Sequence, residues 1–284
     1  MSFVKQKFRV WVSRYFEIPI TSFMKWKIGG ILNRSQDLIL IHTIGKVGSS
    51  SVYQSVADAF PENRSIFHIH SLNQDRNKEQ ELYYRSSKRG SVPLHLIISR
   101  IISDRLSSYK GQILVITLIR EPISRELSSV YQDYFNFSDD KNISADWMRN
   151  VIKKKVQEMA TELPEEKWFK SELLEVFGVD VFKQKFDVAK GYFNLKDGNV
   201  VFALIRLEDL NDKFADMMLE MFGKQGVKLV RENDSSDKFY DAHYKEEMNE
   251  LRIDSSTFDR IIGQRFVTHF YSDKLNQLSK KWKA

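Results

Sequence analysis

The residues best suited to chemistry lie in one loop that combines a lysine, two glycines and three serines. The loop reads Ile44-Gly45-Lys46-Val47-Gly48-Ser49-Ser50-Ser51. It lies between an apolar run and a segment of helical character. Glycines admit a phosphate to backbone N–H groups, and the dipole of a following helix favours the anion. Lys46 adds a mobile positive charge and the serines add hydroxyl donors. The loop is not a Walker A motif, since Val47 stands where serine or threonine is required, and Lys46 as a solvated loop lysine is the alternative.

A second candidate anion site follows the most apolar run of the chain, over residues 113–119. Arg120 comes directly after this run, and Ser128 lies about two turns into the helix that the next residues predict. An arginine can bind a phosphate through two parallel hydrogen bonds. The alternative is that Arg120 forms a structural ion pair at the strand end, with Arg125 as a surface charge.

Both loops are positioned by segments that alternate between strand and helix character. Continuous β-branched runs predict buried strands, and apolar residues three and four apart predict helices. The predicted strands are 38–43, 65–70, 113–119 and the two arms of a hairpin over 192–205. The predicted helices are 52–60, 93–106, 122–135, 145–161 and 165–177. A surface loop or a ragged helix is predicted at 73–90, and polar breaks are predicted at 138–142 and 231–238.

This alternation predicts an α/β fold, a three-layer sandwich with a central, mostly parallel sheet. With 284 residues and 42% hydrophobic residues, the chain can bury a sizeable core. We expect a single domain over residues 36–284, preceded by a basic, aromatic-rich segment over residues 1–35.

The positive charge of the chain is concentrated at its start. Residues 1–34 hold seven lysines and arginines against Glu17 alone, which accounts for the net charge of +6 of the whole chain. The remainder is balanced, which argues against nucleic-acid binding. Aromatic residues mixed with basic ones can lie on an anionic membrane surface. An amphipathic segment that packs on the domain is the alternative.

The remaining composition bears on localisation. The chain has no cysteine, which excludes disulfides and thiolate sites and suits a reducing compartment. Charges interrupt the apolar runs near the start, and no apolar stretch reaches about 18 residues, so neither a signal peptide nor a transmembrane helix is predicted. We expect a cytoplasmic protein, with residues 1–34 as a candidate peripheral contact to the inner face of the membrane.

Taken together, the two loops resemble the sulfotransferases that use 3′-phosphoadenosine 5′-phosphosulfate (PAPS). The first has the pattern Lys-x-Gly-Ser-Ser-Ser and the second the pattern Arg-x-Pro-x-x-Arg-x-x-Ser. The resemblance implies a P-loop-like sulfotransferase fold in which the first loop holds the 5′-phosphosulfate and the second motif holds the 3′-phosphate. The residues that match the nucleotide contacts are Lys46, Gly48, Ser49, Ser50, Ser51, Arg120 and Ser128. Many members have proline before the lysine, where this chain has Gly45.

Three further segments resemble bacterial capsular polysaccharide synthesis proteins. They are 168–182, 204–210 and 270–272. This resemblance covers most of the chain after the first strand and implies a carbohydrate hydroxyl as the acceptor. Within it we expect Trp168, Phe169 and Phe177 to be core residues, and Glu208 and Asp209 to cap the following helix.

Sulfuryl transfer to a hydroxyl needs a general base, which typically contributes about 10²–10⁴-fold to the rate. His68 and His70 end the second predicted strand, and residues two apart in a strand share one face. A histidine after this strand resembles the base position of several sulfotransferases. We expect His70, nearer the strand end, to be the base, with His68 second; a core or loop histidine is the alternative for either. No metal site is expected, because no third ligand stands nearby in sequence.

The sequence therefore predicts a PAPS-dependent sulfotransferase in which Lys46 stabilises the leaving phosphate and adenosine 3′,5′-bisphosphate is the product. Two alternatives stay open. A P-loop-like kinase using ATP would need a Gly-Lys-Ser/Thr sequence, which the loop lacks. A non-catalytic, membrane-apposed polysaccharide assembly factor would retain the fold without the chemistry.

Overall fold

The computed structural model describes residues 3–33, 37–86, 91–137, 145–230 and 241–284. Five strands form one sheet in this part of the chain. The strands are β1 Leu38–His42, β2 Ile66–Ile69, β3 Ile113–Ile119, β4 Tyr192–Asp197 and β5 Val200–Arg206. Their order across the sheet is β2-β1-β3-β5-β4.

The sheet is parallel except at one edge. The strands β1, β2, β3 and β5 run parallel, and β4 pairs antiparallel with β5 as the other arm of the predicted hairpin. Every residue of β1 and β3 is buried, which is typical of parallel strands covered on both faces. The α/β class with a mostly parallel central sheet is thereby confirmed.

Helices connect the strands and pack on the sheet. The helices of the first half are α1 Phe3–Leu32, α2 Ser49–Ala59, α3 Gln74–Ser86, α4 Leu94–Leu106, α5 Pro122–Phe137 and α6 Ala145–Met159. Those of the second half are α7 Pro164–Trp168, α8 Glu175–Phe177, α9 Leu210–Phe222, α10 Asp241–Glu250, α11 Ser255–Ile262, α12 Arg265–Phe270 and α13 Leu275–Trp282. The strand predicted at 113–119 and the helix predicted at 93–106 are confirmed almost to the residue.

The polar segment 73–90 contains a regular helix, α3, where a surface loop or a ragged helix was predicted. Asn73 caps the N-terminus of this helix. Its side-chain oxygen accepts hydrogen bonds from the N–H groups of Asp75 and Arg76 at 3.1 Å each. Such a cap satisfies orphan donors of the first turn. The helix buries Asn77 rather than an apolar stripe, so apolar spacing could not reveal it. The predicted polar segments at 138–142 and 231–238 lie outside the described residues.

The helix predicted at 165–177 is interrupted. A π-helical turn over Phe169–Leu174 separates α7 from α8. This turn buries Glu172 completely. The helical period of the sequence does not predict a π-helical turn, because such a turn changes which residues face inward only over a few positions. Such turns are frequent at functional sites.

The three segments that resemble capsular polysaccharide synthesis proteins meet in one part of the core. Trp168 and Phe169 are buried, and the Phe169 ring lies 5.8 Å from that of Phe270. Buried Arg206 donates a hydrogen bond of 3.0 Å to the Phe270 main-chain oxygen. The predicted core positions of Trp168 and Phe169 are therefore confirmed, whereas Phe177 is partly buried against the core.

The predicted capping role of Glu208 and Asp209 is wrong, since neither side chain caps α9. Asp209 pairs with Arg206. Glu208 accepts hydrogen bonds from the Glu121 N–H at 2.9 Å and from the Tyr271 hydroxyl at 3.1 Å. Both carboxylates therefore hold tertiary contacts at the ends of strands.

Strand order fixes where a ligand can enter. The chain leaves β1 for β2 on one side and then returns to β3 on the other side of β1. In open α/β sheets, ligands bind at the carboxyl ends of strands where the connections diverge in this way. That crevice lies between the ends of β1 and β3, where the two candidate anion loops begin.

Helix α1 packs on the domain through its C-terminal half. Ile28 and Leu32 are buried there. Gly29 leaves room for the Arg105 guanidinium, because a Cβ added to Gly29 would lie only 2.9 Å from Arg105 Nη2. Glu17 and Arg85 form an ion pair between α1 and α3. No helix in the described ranges is both long and apolar enough to cross a bilayer.

Candidate functional site

The first candidate loop leaves β1 through an unusual backbone. Lys46 has a φ of +75° and is the only non-glycine residue with positive φ within the described ranges. A lysine there carries a local energetic cost, and such residues cluster at functional sites. Gly48 has a φ of +77°, and a Cβ at this position would lie 2.7 Å from Leu207 Cδ1. Glycine at position 48 is therefore required both by its φ and by the close approach of the turn after β5.

The N-terminus of α2 is open to an anion. No side chain caps it, and its first turn holds no acidic residue. The N-terminus of α5 differs, because the Glu121 carboxylate accepts hydrogen bonds from the N–H groups of Ile123 at 2.7 Å and Ser124 at 3.0 Å. Of these two helix ends at the crevice, only that of α2 can offer its N–H groups to a phosphate.

The three serines of the loop form the first turn of α2. Ser49 is buried, with its Oγ 2.8 Å from His68 Nε2. Ser50 and Ser51 are partly exposed. The helix begins at Ser49, three residues before its predicted start. The structure thus brings a predicted loop residue and a predicted base residue into direct contact.

Arg120 reaches across the crevice to this loop. Its Nη1 lies 3.3 Å from the Lys46 main-chain oxygen, and its Nη2 lies 3.4 Å from the Tyr244 hydroxyl of α10. Within the part of the chain that the structure describes, Arg120 forms no ion pair with a carboxylate. The described residues therefore give no support to the structural ion-pair alternative. The guanidinium is partly exposed, and its long contacts leave donors for a ligand.

Arg125 has a structural role instead. It is buried and pairs with Glu165 and Glu126. The prediction that Arg125 is a surface charge is wrong, because apolar spacing in α5 does not show that carboxylates from two elements converge on this position. Burial lowers the pKa of Arg125, but the charges of those two carboxylates outweigh this effect, so the pKa is raised overall.

Ser128 is only loosely connected to Arg120. It is partly exposed on α5, one turn beyond Ser124. The structure describes no hydrogen bond between Ser128 and Arg120. The second predicted motif is thus present as two separate side chains near one helix, not as a preformed pair.

Two residues near Arg120 were missed by sequence reasoning. Tyr244 contacts the Arg120 guanidinium, as described above. Lys281 of α13 donates a hydrogen bond of 3.2 Å to the Ser124 hydroxyl. Partial burial of its ammonium lowers the pKa of Lys281, with Glu121 opposing and Arg120 adding to this effect. Lys281 lies 161 residues beyond Arg120 in the sequence, and no local pattern marks it.

Lys46 is also within electrostatic reach of α5. Its charge lowers the pKa of Asp133, although burial and Glu126 raise that pKa overall. The Lys46 side chain thus lies on the side of the crevice that α5 borders. A ligand phosphate would compete with this carboxylate for the ammonium.

The two predicted base residues share one face of the sheet, as expected. The His68 and His70 ring centroids lie 4.8 Å apart. Burial lowers the pKa of His68 to about 4, with His95 adding to the effect. Burial and then His68 lower the pKa of His70 to about 4, although a hydrogen bond to Thr43 opposes this. Both imidazoles are therefore neutral at pH 7.

The hydrogen bonds of the two rings differ in a way that bears on their roles. His70 Nδ1 lies 2.8 Å from the Thr43 main-chain oxygen, which can only accept. The proton of neutral His70 is therefore on Nδ1, and Nε2 carries a lone pair that can take a proton. His68 Nε2 is already engaged with the Ser49 hydroxyl. This geometry favours His70 over His68 as a base.

The loop that follows His70 is held by a buried carboxylate. Glu172 Oε2 accepts hydrogen bonds from the N–H groups of Leu72 at 2.6 Å and Asn73 at 3.0 Å, and Oε1 accepts one from the Ser71 hydroxyl at 2.7 Å. His42 Nε2 lies 3.3 Å from Oε2. Burial raises the pKa of Glu172, but these hydrogen bonds outweigh it and lower the pKa overall. A charged carboxylate therefore fixes the main chain next to the predicted base.

No metal site accompanies this arrangement in the described ranges, where no three His, Asp or Glu side chains converge on one point. The chemistry available is that of a neutral imidazole, a lysine, an arginine and an open helix end. Together these groups can bind an anion and accept a proton.

Comparison with known proteins identifies one family. The NKWYS family model, described as "Putative capsular polysaccharide synthesis protein", matches residues 117–272. No curated protein and no solved structure matches the chain. The matched segment contains Arg120, Ser128 and Glu172, and it leaves out the first loop, His68 and His70.

Proposed function

Because the chain belongs to the NKWYS family of capsular polysaccharide synthesis proteins, we propose that it transfers a sulfuryl group from PAPS to a hydroxyl of a carbohydrate. One observation carries the proposal: the Arg120 guanidinium lies against the main chain of the Lys46 loop, beside an open helix N-terminus. Two anion-binding groups thus share the crevice at which the sheet topology favours a ligand. A P-loop-like sulfotransferase fold is part of the same proposal.

The residues present fit a nucleotide with two separated phosphate groups. The N–H groups at the start of α2, Lys46 and the hydroxyls of Ser50 and Ser51 would hold the 5′ end. Arg120 would hold the 3′-phosphate, with Ser128 and the neighbouring Lys281 adding donors. The capped N-terminus of α5 is excluded from this role by Glu121, so side chains rather than a helix end bind the second phosphate.

PAPS would supply the sulfuryl group, and adenosine 3′,5′-bisphosphate would leave after the bond between sulfur and the bridging oxygen breaks. The acceptor oxygen forms the new bond to sulfur, and His70 Nε2 takes its proton. Lys46 and the α2 N–H groups stabilise the charge on the departing phosphate. His68 positions Ser49 through the hydrogen bond between them. Apart from the proton transfer to His70, catalysis rests on positioning and electrostatics.

The direct test is calorimetry of the full chain with adenosine 3′,5′-bisphosphate and, separately, with ATP and Mg²⁺. We expect the bisphosphate to bind and Lys46→Ala and Arg120→Ala each to weaken it. Lys224→Ala is the matched control, because Lys224 stacks on Phe60 outside the crevice. Binding of ATP without binding of the bisphosphate would overturn the proposal in favour of a kinase.

Transfer is tested by labelled sulfate from PAPS on a panel of glycans. We expect labelled product with the intact chain and a loss of at least about 10²-fold with His70→Gln, the contribution of a general base. If the bisphosphate binds but no glycan accepts sulfate, and cellular polysaccharide assembly survives both Lys46→Ala and His70→Ala, the non-catalytic assembly factor becomes the better account.

A further inference from the structure

Exposed apolar side chains are concentrated on one group of helices. The large exposed ones in the described ranges are Ile20, Phe23, Trp26, Leu82, Tyr83, Leu94, Trp147, Leu174 and Leu219. The first six of these belong to α1, α3 and α4, which pack against one another. Scattered exposed apolar residues need no explanation, but such a concentration marks an interaction surface.

Helix α1 carries the most exposed members. Ile20 is 45% exposed, Phe23 56% and Trp26 76%. Residues three apart on a helix lie on neighbouring positions of one face, so these side chains form a single stripe. Lys27 follows Phe23 by four residues and lies on the same face. We call the stripe, with Lys27, the α1 outer face.

The opposite face of α1 is already committed to the domain. Ile28 and Leu32 are buried in the core, and Met24 packs against it. The Glu17–Arg85 ion pair fixes the helix to α3. Because both ends of this stretch are anchored, α1 cannot rotate to hide Phe23 and Trp26 without losing those contacts.

The charges beside the stripe determine which partner fits it. Lys27 is exposed within the α1 outer face, and Lys25 is exposed on the side of the helix that carries Ile28. Glu17 is the only acidic residue among residues 1–34, and Arg85 neutralises it. A second copy would bring like charges together, whereas anionic lipid headgroups would pair with the lysines while the rings enter the acyl boundary.

We propose that the α1 outer face is a docking surface for an anionic lipid bilayer. The helix lies in the plane of the interface, with Ile20, Phe23 and Trp26 inserted at headgroup depth and the lysines among the headgroups. It does not span the bilayer, since it is not apolar enough to do so. The inference does not depend on the proposed sulfuryl transfer.

The test is co-sedimentation of the full chain with phosphatidylcholine vesicles that contain or lack phosphatidylglycerol, without nucleotide. We expect binding only with the anionic lipid, weakened about tenfold or more in the Phe23→Ser/Trp26→Ser variant because two inserted rings are lost. Lys25→Gln/Lys27→Gln should weaken binding and its salt dependence. Trp147→Ser is the matched control, since Trp147 is exposed on α6, and it should bind like the unaltered chain.

Fluorescence separates lipid insertion from other contacts. The difference spectrum between the unaltered chain and Trp26→Phe should shift to the blue when anionic vesicles are added. Equal binding by the Phe23→Ser/Trp26→Ser variant, or equal binding to neutral vesicles, would overturn the proposal. The proposal would also be overturned if light scattering showed a dimer of the unaltered chain and a monomer of the same variant, because a second copy would then cover the face.

Discussion

The indole Nε1 of Trp168 donates a hydrogen bond of 3.0 Å to the main-chain oxygen of His70. Four residues later in the same segment, Glu172 binds the main chain of Leu72 and Asn73. A block of sequence about 100 residues away thus holds the main chain of the predicted base and of the residues that follow it. It belongs to the segment that the family model matches, whereas His70 does not.

Glu172→Ala should therefore separate catalysis from nucleotide binding. Loss of the carboxylate leaves the buried N–H group of Leu72 and the partly buried N–H group of Asn73 without an acceptor, so we expect the free energy of unfolding to fall by roughly 3 kcal/mol. Transfer should slow because the His70 loop loosens, while affinity for adenosine 3′,5′-bisphosphate stays nearly unchanged. Urea unfolding, kcat and calorimetry measure the three quantities.

Two variants control that experiment. Glu172→Gln keeps one oxygen acceptor and should restore part of the stability and of kcat. Glu162→Ala removes an exposed carboxylate that pairs with the exposed Lys167 and should change little. A Glu172→Ala protein that loses nucleotide affinity but keeps kcat would contradict the positioning role.

The backbone of Lys46 gives a prediction that does not need the substrate. Both Lys46→Gly and Lys46→Ala remove the ammonium, but only glycine adopts a φ of +75° without cost. We expect the Gly variant to be the more stable of the two by about 1 kcal/mol. Thermal unfolding measures the difference, and transfer should be lost in both. Equal stability would show that this φ carries no strain.

Arg120 and Arg125 should respond to alanine in opposite ways. Arg120→Ala should weaken adenosine 3′,5′-bisphosphate binding by about tenfold to a hundredfold, the value of a hydrogen-bonded charged group, with little change in stability. Arg125→Ala leaves the buried Glu165 carboxyl group without its partner, so the free energy of unfolding should fall by about 3–5 kcal/mol. Calorimetry and urea unfolding of both variants test the contrast, and a stable Arg125→Ala protein would refute it.

Stability should fall as the pH is lowered below neutrality. The folded-state pKa values of His68 and His70, about 4, lie below the ordinary value of 6.5. Between these values the unfolded chain binds more protons, so the stability present above pH 6.5 is lost as the pH falls towards 4. In the His68→Gln/His70→Gln variant, the free energy of unfolding measured with urea should change less with pH across this range.

The same shift sets the acid limit of activity. His70 stays neutral, and able to accept a proton, well below the range in which an ordinary histidine becomes charged. The acid limb of kcat/KM should therefore fall near the His70 pKa of about 4 rather than near 6.5. An acid limb near 6.5 would assign the base role to a group with an ordinary pKa.

Local patterns in the sequence predicted the strands, the first loop and the shared face of the two histidines. Each of these depends on neighbours: β-branched runs form buried strands, small residues form turns, and a period of two places His68 and His70 together. The regular helix α3 was not predicted, because its signal in the sequence is a cap at Asn73 rather than an apolar stripe.

The sequence alone therefore determined the α/β class, the order of its elements and the candidate anion loop. Only the tertiary structure decided that α2 keeps an open N-terminus while Glu121 closes that of α5, that Arg120 faces the Lys46 loop, and that Arg125 is buried. It also revealed Glu172 and Lys281. The physical reason is the same in each case: hydrogen bonding and burial at these positions depend on groups from distant elements, which local periodicity does not encode.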